Sequence, residues 1–301
     1  MGTALLGDVS VPVAFAKFHG AGNDFVVVDA AALPEDIDRS ELAAAICERH
    51  TGVGADGLLI ATTFPERVGM AIFNADGSED TMCGNGVRCL IRHLRETHGL
   101  PPEGTVSTLS GPVRYRMMVN GDVEVDLPEP KWTPSAIPAT VPTVLGVEVA
   151  GVRMDLVNTG SAHAVVHVAR LPSRDEIAVL SRPIENDPAF PEKISVMWTR
   201  VEARDRVRIA IWERGVGQTL ACGTGAVAAV VASARRGLVD GVVDVVSPGG
   251  TVRVRWDGEE NRPSLAGPAT RVFTGVFPFE PAGGGPGKGR SACEASGTMP
   301  A

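Results

Sequence analysis

Cys83-Gly84-Asn85-Gly86-Val87-Arg88-Cys89-Leu90-Ile91-Arg92-His93-Leu94 and Cys222-Gly223-Thr224-Gly225-Ala226-Val227-Ala228-Ala229-Val230-Val231 are the two stretches on which the fold turns. Each opens with Cys-Gly-x-Gly and continues as an apolar run that stops at a glycine, Gly99 or Gly237. In the first, Val87, Leu90, Ile91 and Leu94 fall at the i, i+3, i+4, i+7 positions of a helix buried on one face. Val227, Val230, Val231 and Ala234 repeat that stripe in the second. Two equivalent amphipathic helices are predicted, each presenting a cysteine at its N-terminus.

Outward from these helices the match continues in the same order. Phe73-Asn74 pairs with Trp212-Glu213, and in each case the cysteine follows nine residues after the polar member. Gly22-Asn23-Asp24-Phe25-Val26-Val27-Val28 pairs with Gly160-Ser161-Ala162-His163-Ala164-Val165-Val166, a glycine turn feeding a buried strand. After each helix come short alternating segments, Arg114-Tyr115-Arg116 with Val123-Glu124-Val125, and Val252 to Trp256, which read as antiparallel strands. Matched segments in matched order indicate an internal duplication. The expected fold is α+β, with two pseudo-symmetric domains, each a strand-rich sheet around a central helix, and a cleft between them that faces both cysteines.

The 301 residues suffice for two compact domains. A hydrophobic share of 44% and a charged share of 21% fit a chain that folds by burial alone. The net charge of -8 argues against a nucleic-acid partner, because phosphate neutralisation needs a basic surface, and favours a small molecule. No apolar run approaches the roughly 18 to 20 residues that span a bilayer, and the N-terminus lacks a basic signal-peptide start; a cytoplasmic protein is expected. Residues 1–12 and the Gly/Pro-rich tail 281–301 read as disordered extensions. The expected domains are therefore 13–130 and 131–270.

The five cysteines have neither disulfide-scaffold nor zinc-ribbon spacing. A buried cysteine is ordinarily a small hydrophobe, and that description suits Cys47 and Cys89, while Cys293 falls in the tail. Cys83 and Cys222 differ because they occupy equivalent points of a duplicated motif. A helix N-terminus can lower a thiol pKa from about 8.5 toward neutrality, and following glycines let a ligand approach the backbone. The N–H groups of Gly84, Asn85, Gly223 and Thr224 are thus candidates to hold one carboxylate. Removing a proton from one face of a stereocentre and delivering another to the opposite face requires two such groups. A cofactor-independent amino-acid racemase or epimerase is the expected activity. Neither a metal motif nor a lysine in a pyridoxal phosphate context is visible.

The motifs Lys17-Phe18-His19-Gly20-Ala21-Gly22-Asn23-Asp24-Phe25, Gly52-Val53-Gly54-Ala55-Asp56-Gly57, Phe73-Asn74-Ala75-Asp76-Gly77-Ser78-Glu79, Cys83-Gly84-Asn85-Gly86 and Glu213-Arg214-Gly215 to Cys222-Gly223-Thr224-Gly225 resemble those of the diaminopimelate epimerases, from about Ala16 to Phe279. The resemblance implies a last strand near 271–280 that returns to the first domain, a homodimer, and interconversion of LL- and meso-diaminopimelate for lysine and cell-wall synthesis. It further implies that Cys83 and Cys222 exchange acid and base roles. Asn23, Asn74, Glu213 and Arg214 would hold the ammonium groups or the distal end, with the Arg214 fork suited to a distal carboxylate.

Two positions depart from the family pattern. Ser161 stands where Gly-Asn-Pro-His is usual, and Ser195 stands where an Asn normally follows Phe-Pro-Glu. Each lost hydrogen bond to a charged group costs about 1.5–3 kcal/mol, so another α-amino acid is an alternative substrate, with both serines candidates to line the pocket. Proline racemases and phenazine-type isomerases share the duplicated architecture by resemblance. From other classes, a silent amino-acid-binding protein and a thiol redox sensor are alternatives; retention of both cysteines disfavours the first. His163 reads as a core histidine, and Asp56 and Asp76 read as turn formers.

Overall fold

The computed structural model describes residues 10–64, 67–259 and 261–281. Cys293 and the rest of the expected C-terminal extension beyond 281 lie outside the described residues, as do residues 1–9. Its first half runs β1 (Val11–Gly20), β2 (Asn23–Asp29), α1 (Arg39–Cys47), β3 (Gly57–Phe64), β4 (Arg67–Asn74), β5 (Glu79–Asp80), α2 (Gly84–His98), β6 (Glu103–Thr108), β7 (Gly111–Met117) and β8 (Val123–Asp126). The second half begins with β9 (Val147–Val149) and continues through β10 (Val152–Asn158), β11 (Ala162–His167), α3 (Arg174–Glu185), β12 (Ser195–Ala203), β13 (Arg206–Glu213), β14 (Gly217–Gln218), α4 (Gly223–Arg235), β15 (Val242–Ser247), β16 (Gly250–Arg255) and β17 (Ser264–Gly267). A final strand, β18 (Thr270–Phe279), closes the order.

Strand pairing follows one plan twice. β1 is antiparallel to β2, β2 parallel to β3, β3 antiparallel to β4, β4 parallel to β6, and β6, β7 and β8 form an antiparallel run. β10, β11, β12, β13, β15, β16 and β17 repeat those senses in that order. The halves join where β8 pairs antiparallel with β17, and β18 pairs antiparallel with β1. β1 starts at Val11, opposite Phe279, so the ordered sheet begins two residues before the expected domain start at 13.

Alternation in the strands explains what the sheets enclose. In β7, Val113 and Tyr115 are buried between exposed neighbours, and in β16 Val252 and Val254 are buried likewise. The inward side chains of both halves and the buried residues of α2 and α4 form one continuous core. Separate cores lie beneath α1 and α3 on the outer faces. α2 ends at Gly99, which adopts φ 65 and the left-handed cap that glycine tolerates. The second helix departs from the expected amphipathic pattern: every residue of α4 from Gly225 to Ser233 is buried, because the sheet wraps a helix of alanine and valine on all sides.

One turn of each half meets across the junction. The Ala21–Gly22 turn of the first half lies against Gly249, whose N–H donates to the Leu220 carbonyl at 2.9 Å. A Cβ at Gly249 would stand 2.0 Å from the Ala21 carbonyl oxygen, a collision between backbones. Ser110 makes the equivalent bond to the Thr81 carbonyl in the first half. Gly249→Ser is therefore expected to lower stability by about 1–3 kcal/mol in urea unfolding, and an unchanged midpoint would show that this junction is not close-packed.

Candidate active site

Cys83 and Cys222 hold the same place in the two halves to within a few degrees. Each is the N-cap of its helix in extended conformation, φ -136 and ψ 118 for Cys83, φ -136 and ψ 114 for Cys222. Each sulfur accepts from the N–H three residues on, Gly86 or Gly225, at 3.4 Å. In both helices the preceding N–H groups, Gly84 and Asn85 or Gly223 and Thr224, have no intrahelical acceptor. The two N-termini face each other: a Cβ at Gly223 would lie 3.4 Å from Asn85 Oδ1, and Leu265 of β17 packs against both Gly84 and Gly223. A narrow cavity lined by Asn85, Cys222, Gly223, Ser247 and Val252 lies at this meeting point. A larger surface groove runs past Arg92, Glu96, Asp122 and Arg271, but it contains neither thiol, and both arginines pair with Glu96.

Around Cys83 the polar groups come from the first half. The thiol points at Asn23 Oδ1, 3.9 Å away, and Asn23 Oδ1 also accepts from Asn85 Nδ2 at 3.0 Å. Asn74, at the end of β4, directs its amide to Ser78 Oγ at 3.0 Å and is exposed. Asp76 is a turn former, accepting from the Ser78 N–H and hydroxyl. Asp56 is more than that, because its carboxylate takes bonds from Asn23, Asp24 and Arg49. The turn pattern Ala55-Asp56-Gly57 concealed this role, since nothing local distinguishes a carboxylate that reaches a neighbouring strand.

Cys222 has different company. Its sulfur lies 3.5 Å from Thr224 Oγ1, and the Glu213 carboxylate accepts from its thiol. Glu213 also accepts from Thr219 Oγ1 at 2.5 Å, and burial pushes its carboxyl above the usual range despite both bonds. Thr224 Oγ1 continues to Ser161 Oγ at 3.2 Å and to His163 Nε2 at 3.0 Å, while Ser161 and His163 are 2.9 Å apart. His163 is therefore part of the Cys222 surroundings and not only a core residue. Burial, with the nearby Arg214 charge, pushes it down to about 3, so it is neutral at physiological pH. Its Nδ1 is buried without a partner.

Ser195 braces the site rather than lining it. Its hydroxyl, buried at 4% exposure, accepts from the Arg214 N–H at 3.1 Å. On the same turn Glu185 accepts from the Gly215 N–H and from Trp212 Nε1, each at 2.7 Å. Glu185 is a residue that sequence reasoning missed, and its only trace was an acidic side chain at the end of an apolar helical stretch. Arg214 itself is exposed, with Nη1 on the Glu192 carbonyl at 3.1 Å.

The expected lowering of the thiol pKa values is corrected by burial. Desolvation pushes Cys83 up to about 11, against the weaker pull of the Gly86 and Asn85 N–H groups. Cys222 is raised further, by burial and then by the Glu213 negative charge. A helix N-terminus stabilises a thiolate only in proportion to its partial charge, and loss of water outweighs it here. Cys47 and Cys89 are buried and pushed up to about 12, in keeping with their expected inertness.

The family model for diaminopimelate epimerase matches residues 15–133 and 156–272, one copy in each half. A diaminopimelate epimerase of Microcystis aeruginosa is 38% identical over 280 residues, covering 89% of this chain and 99% of that protein. That of Nitrosomonas europaea is 40% identical over 277 residues, covering 87% and 98%. Among solved structures, a hydroxyproline epimerase from Agrobacterium vitis with bound trans-4-hydroxy-L-proline superposes with a TM-score of 0.65 at 16% identity, covering 90% of this chain and 94% of that one. A PhzF-family phenazine biosynthesis protein from Bacillus anthracis gives 0.61 at 17% identity, covering 88% and 98%. These two share the fold.

In the ligand-free protein both thiols should be protonated at neutral pH. Iodoacetamide capture of Cys83, followed by mass spectrometry, should rise about tenfold per pH unit from pH 7 to 10. A plateau reached below pH 8.5 would contradict the dominance of burial.

Proposed function

Because this chain belongs to the diaminopimelate epimerase family, we propose that it interconverts LL- and meso-diaminopimelate, in the supply of the meso isomer for lysine synthesis, by a two-thiol proton transfer. The observation that carries this reading is the pair of cysteines that cap the N-termini of two facing helices in matching backbone geometry. The substrate α-carboxylate sits between the helix ends, accepting from the N–H groups of Gly84, Asn85, Gly223 and Thr224. Its Cα then lies between the sulfurs.

Proton movement follows from the groups beside each sulfur. Glu213, with a raised carboxyl pKa, takes the Cys222 proton and leaves a thiolate. The thiolate removes the α-proton, and the C–H electron pair is delocalised into the carboxylate, where the helix N-termini stabilise it. The Cys83 thiol delivers its proton to the opposite face and becomes the thiolate, and the reverse reaction exchanges the roles. Asn23 and Asn74 receive ammonium groups, and Arg214 faces the distal carboxylate. The chemistry requires neither a metal nor an organic cofactor. We place the enzyme in the cytoplasm as a homodimer, with domains that divide near residue 130.

One observation favours a second reading, a different α-amino acid on the same thiols. Ser161 is bonded to His163 and Thr224, and Ser195 to the Arg214 backbone, so both serine hydroxyls are engaged within the protein. Incubation with LL-diaminopimelate, and separately with histidine, lysine, glutamate and ornithine, followed by chiral chromatography, decides between the two. Conversion of diaminopimelate is expected, with Cys83→Ala and Cys222→Ala each reducing it by about three orders of magnitude. Turnover of another amino acid alone would transfer the activity to that substrate, and undiminished turnover by either variant would refute the two-thiol mechanism.

A further inference from the structure

Asn23 and Asn85, the two carboxamides beside Cys83, are the middle links of a hydrogen-bond chain with a fixed charge at each end. At one end is Arg88 of α2, 0% exposed and without a carboxylate partner among the described residues, whose Nη1 donates to Asn85 Oδ1 at 2.8 Å. Its Nε and Nη2 have no partner. At the other end is Asp56, whose Oδ2 accepts from Asn23 Nδ2 at 2.7 Å and from the Asp24 N–H at 3.1 Å. Arg49 holds the second Asp56 oxygen at 2.7 Å and bonds Asp24, which also pairs with Lys17 at 2.5 Å. Asn85 Nδ2 donates to Asn23 Oδ1 at 3.0 Å and completes the chain.

A carboxamide offers a donor at one end and an acceptor at the other, and its neighbours decide which way it points. A guanidinium can only donate and an ionised carboxylate can only accept. The chain therefore has a single polarity, from Arg88 through Asn85 and Asn23 to Asp56. Reversing either amide would set donor against donor or acceptor against acceptor along the chain. The consequence is local to Cys83, because the group that faces its thiol is the Asn23 oxygen and not the amide N–H₂.

We propose that Asp56 and Arg88 are positioning residues that fix the orientation of Asn23 and Asn85, and so present Cys83 with an acceptor for its S–H. This rests on the reading of Cys83 as an acid–base group. Ser161 occupies the equivalent place in the second half and is bonded to His163 and Thr224, so Cys222 has no such amide. The duplicated site is thereby made unequal: Cys83 is held as the proton donor, while Cys222 has Glu213 as its proton acceptor. Of the charged groups that act on the Cys83 thiol, Asp80 lies outside this chain, and Arg88, of opposite sign, is its first link.

Asp56 is exposed, so its variants test the idea without disturbing the core. Asp56→Ala removes the acceptor that holds the Asn23 N–H₂ away from the sulfur and leaves only the Asn85 bond to resist its reversal, which favours the thiolate. Asp56→Asn keeps one oxygen for Asn23 and the Asp24 N–H and loses the charge and the hydrogen bond shared with Arg49, which retains Asp24. The ligand-free protein is alkylated with iodoacetamide at pH 8, and Cys83 and Cys222 are quantified separately by mass spectrometry. In Asp56→Ala, Cys83 should react about tenfold faster with Cys222 unchanged, while Asp56→Asn should stay within about twofold of the native protein. Epimerase kcat should fall about tenfold in Asp56→Ala and be largely restored in Asp56→Asn. Equal effects of Ala and Asn, a parallel change at Cys222, or an unmoved Cys83 would overturn the proposal. The alkylation needs no substrate, so its failure is distinct from a failure of the epimerase reading.

Discussion

Two helix N-termini that face each other across a buried cavity present the same sign of partial charge to one small volume. By itself that arrangement is unfavourable, since helix N-termini leave N–H groups without intrahelical acceptors and two positive dipole ends are brought together. The rest of the architecture holds it in place. β8 and β17 join the two halves beside the helix ends, Leu265 packs against the first residue of each helix, and α4 is buried from Gly225 to Ser233. In the proposed reading, a carboxylate bound between the helix ends supplies the missing counter-charge. An enolate-like species formed from that carboxylate in the proposed reaction would gain still more from the same helix ends.

The same burial sets the thiol chemistry. A thiol pushed up to about 11 is a poor base but a competent proton carrier when a neighbour supplies or removes charge. The neighbours differ between the halves: an amide oxygen at Cys83, a carboxylate with a raised pKa at Cys222. A duplicated fold thus yields a site that is symmetric in backbone and asymmetric in proton affinity. The chain belongs to the diaminopimelate epimerase family and shares its fold with a hydroxyproline epimerase.

Much of this was legible in the sequence, because duplication doubles every signal. The nine-residue offset from Asn74 to Cys83 and from Glu213 to Cys222 placed both thiols at the ends of equivalent strand-turn-helix units, and the helices begin there. What was not legible depends on contacts between segments far apart in the chain. Asp56 looked like a turn residue, yet its acceptor atoms serve Asn23 on a neighbouring strand. Ser195 and Glu185 act on the backbone of the Glu213–Gly215 turn, a role no periodicity reveals. The direction of the thiol pKa shift was misjudged because a helix end is visible in sequence and the depth of its burial is not.

The central claim is that two thiols act on opposite faces of one α-carbon, and the fate of a single proton tests it most directly. Enzyme is run in D₂O with its L-configured amino-acid substrate, and product and recovered substrate are separated at low conversion and examined by NMR. The two-thiol account predicts α-deuterium in the product and protium in the recovered substrate, because the abstracted proton leaves on one sulfur while solvent-derived deuterium arrives from the other. A product that retains the substrate's own α-proton would contradict it, and would leave a single group acting on both faces.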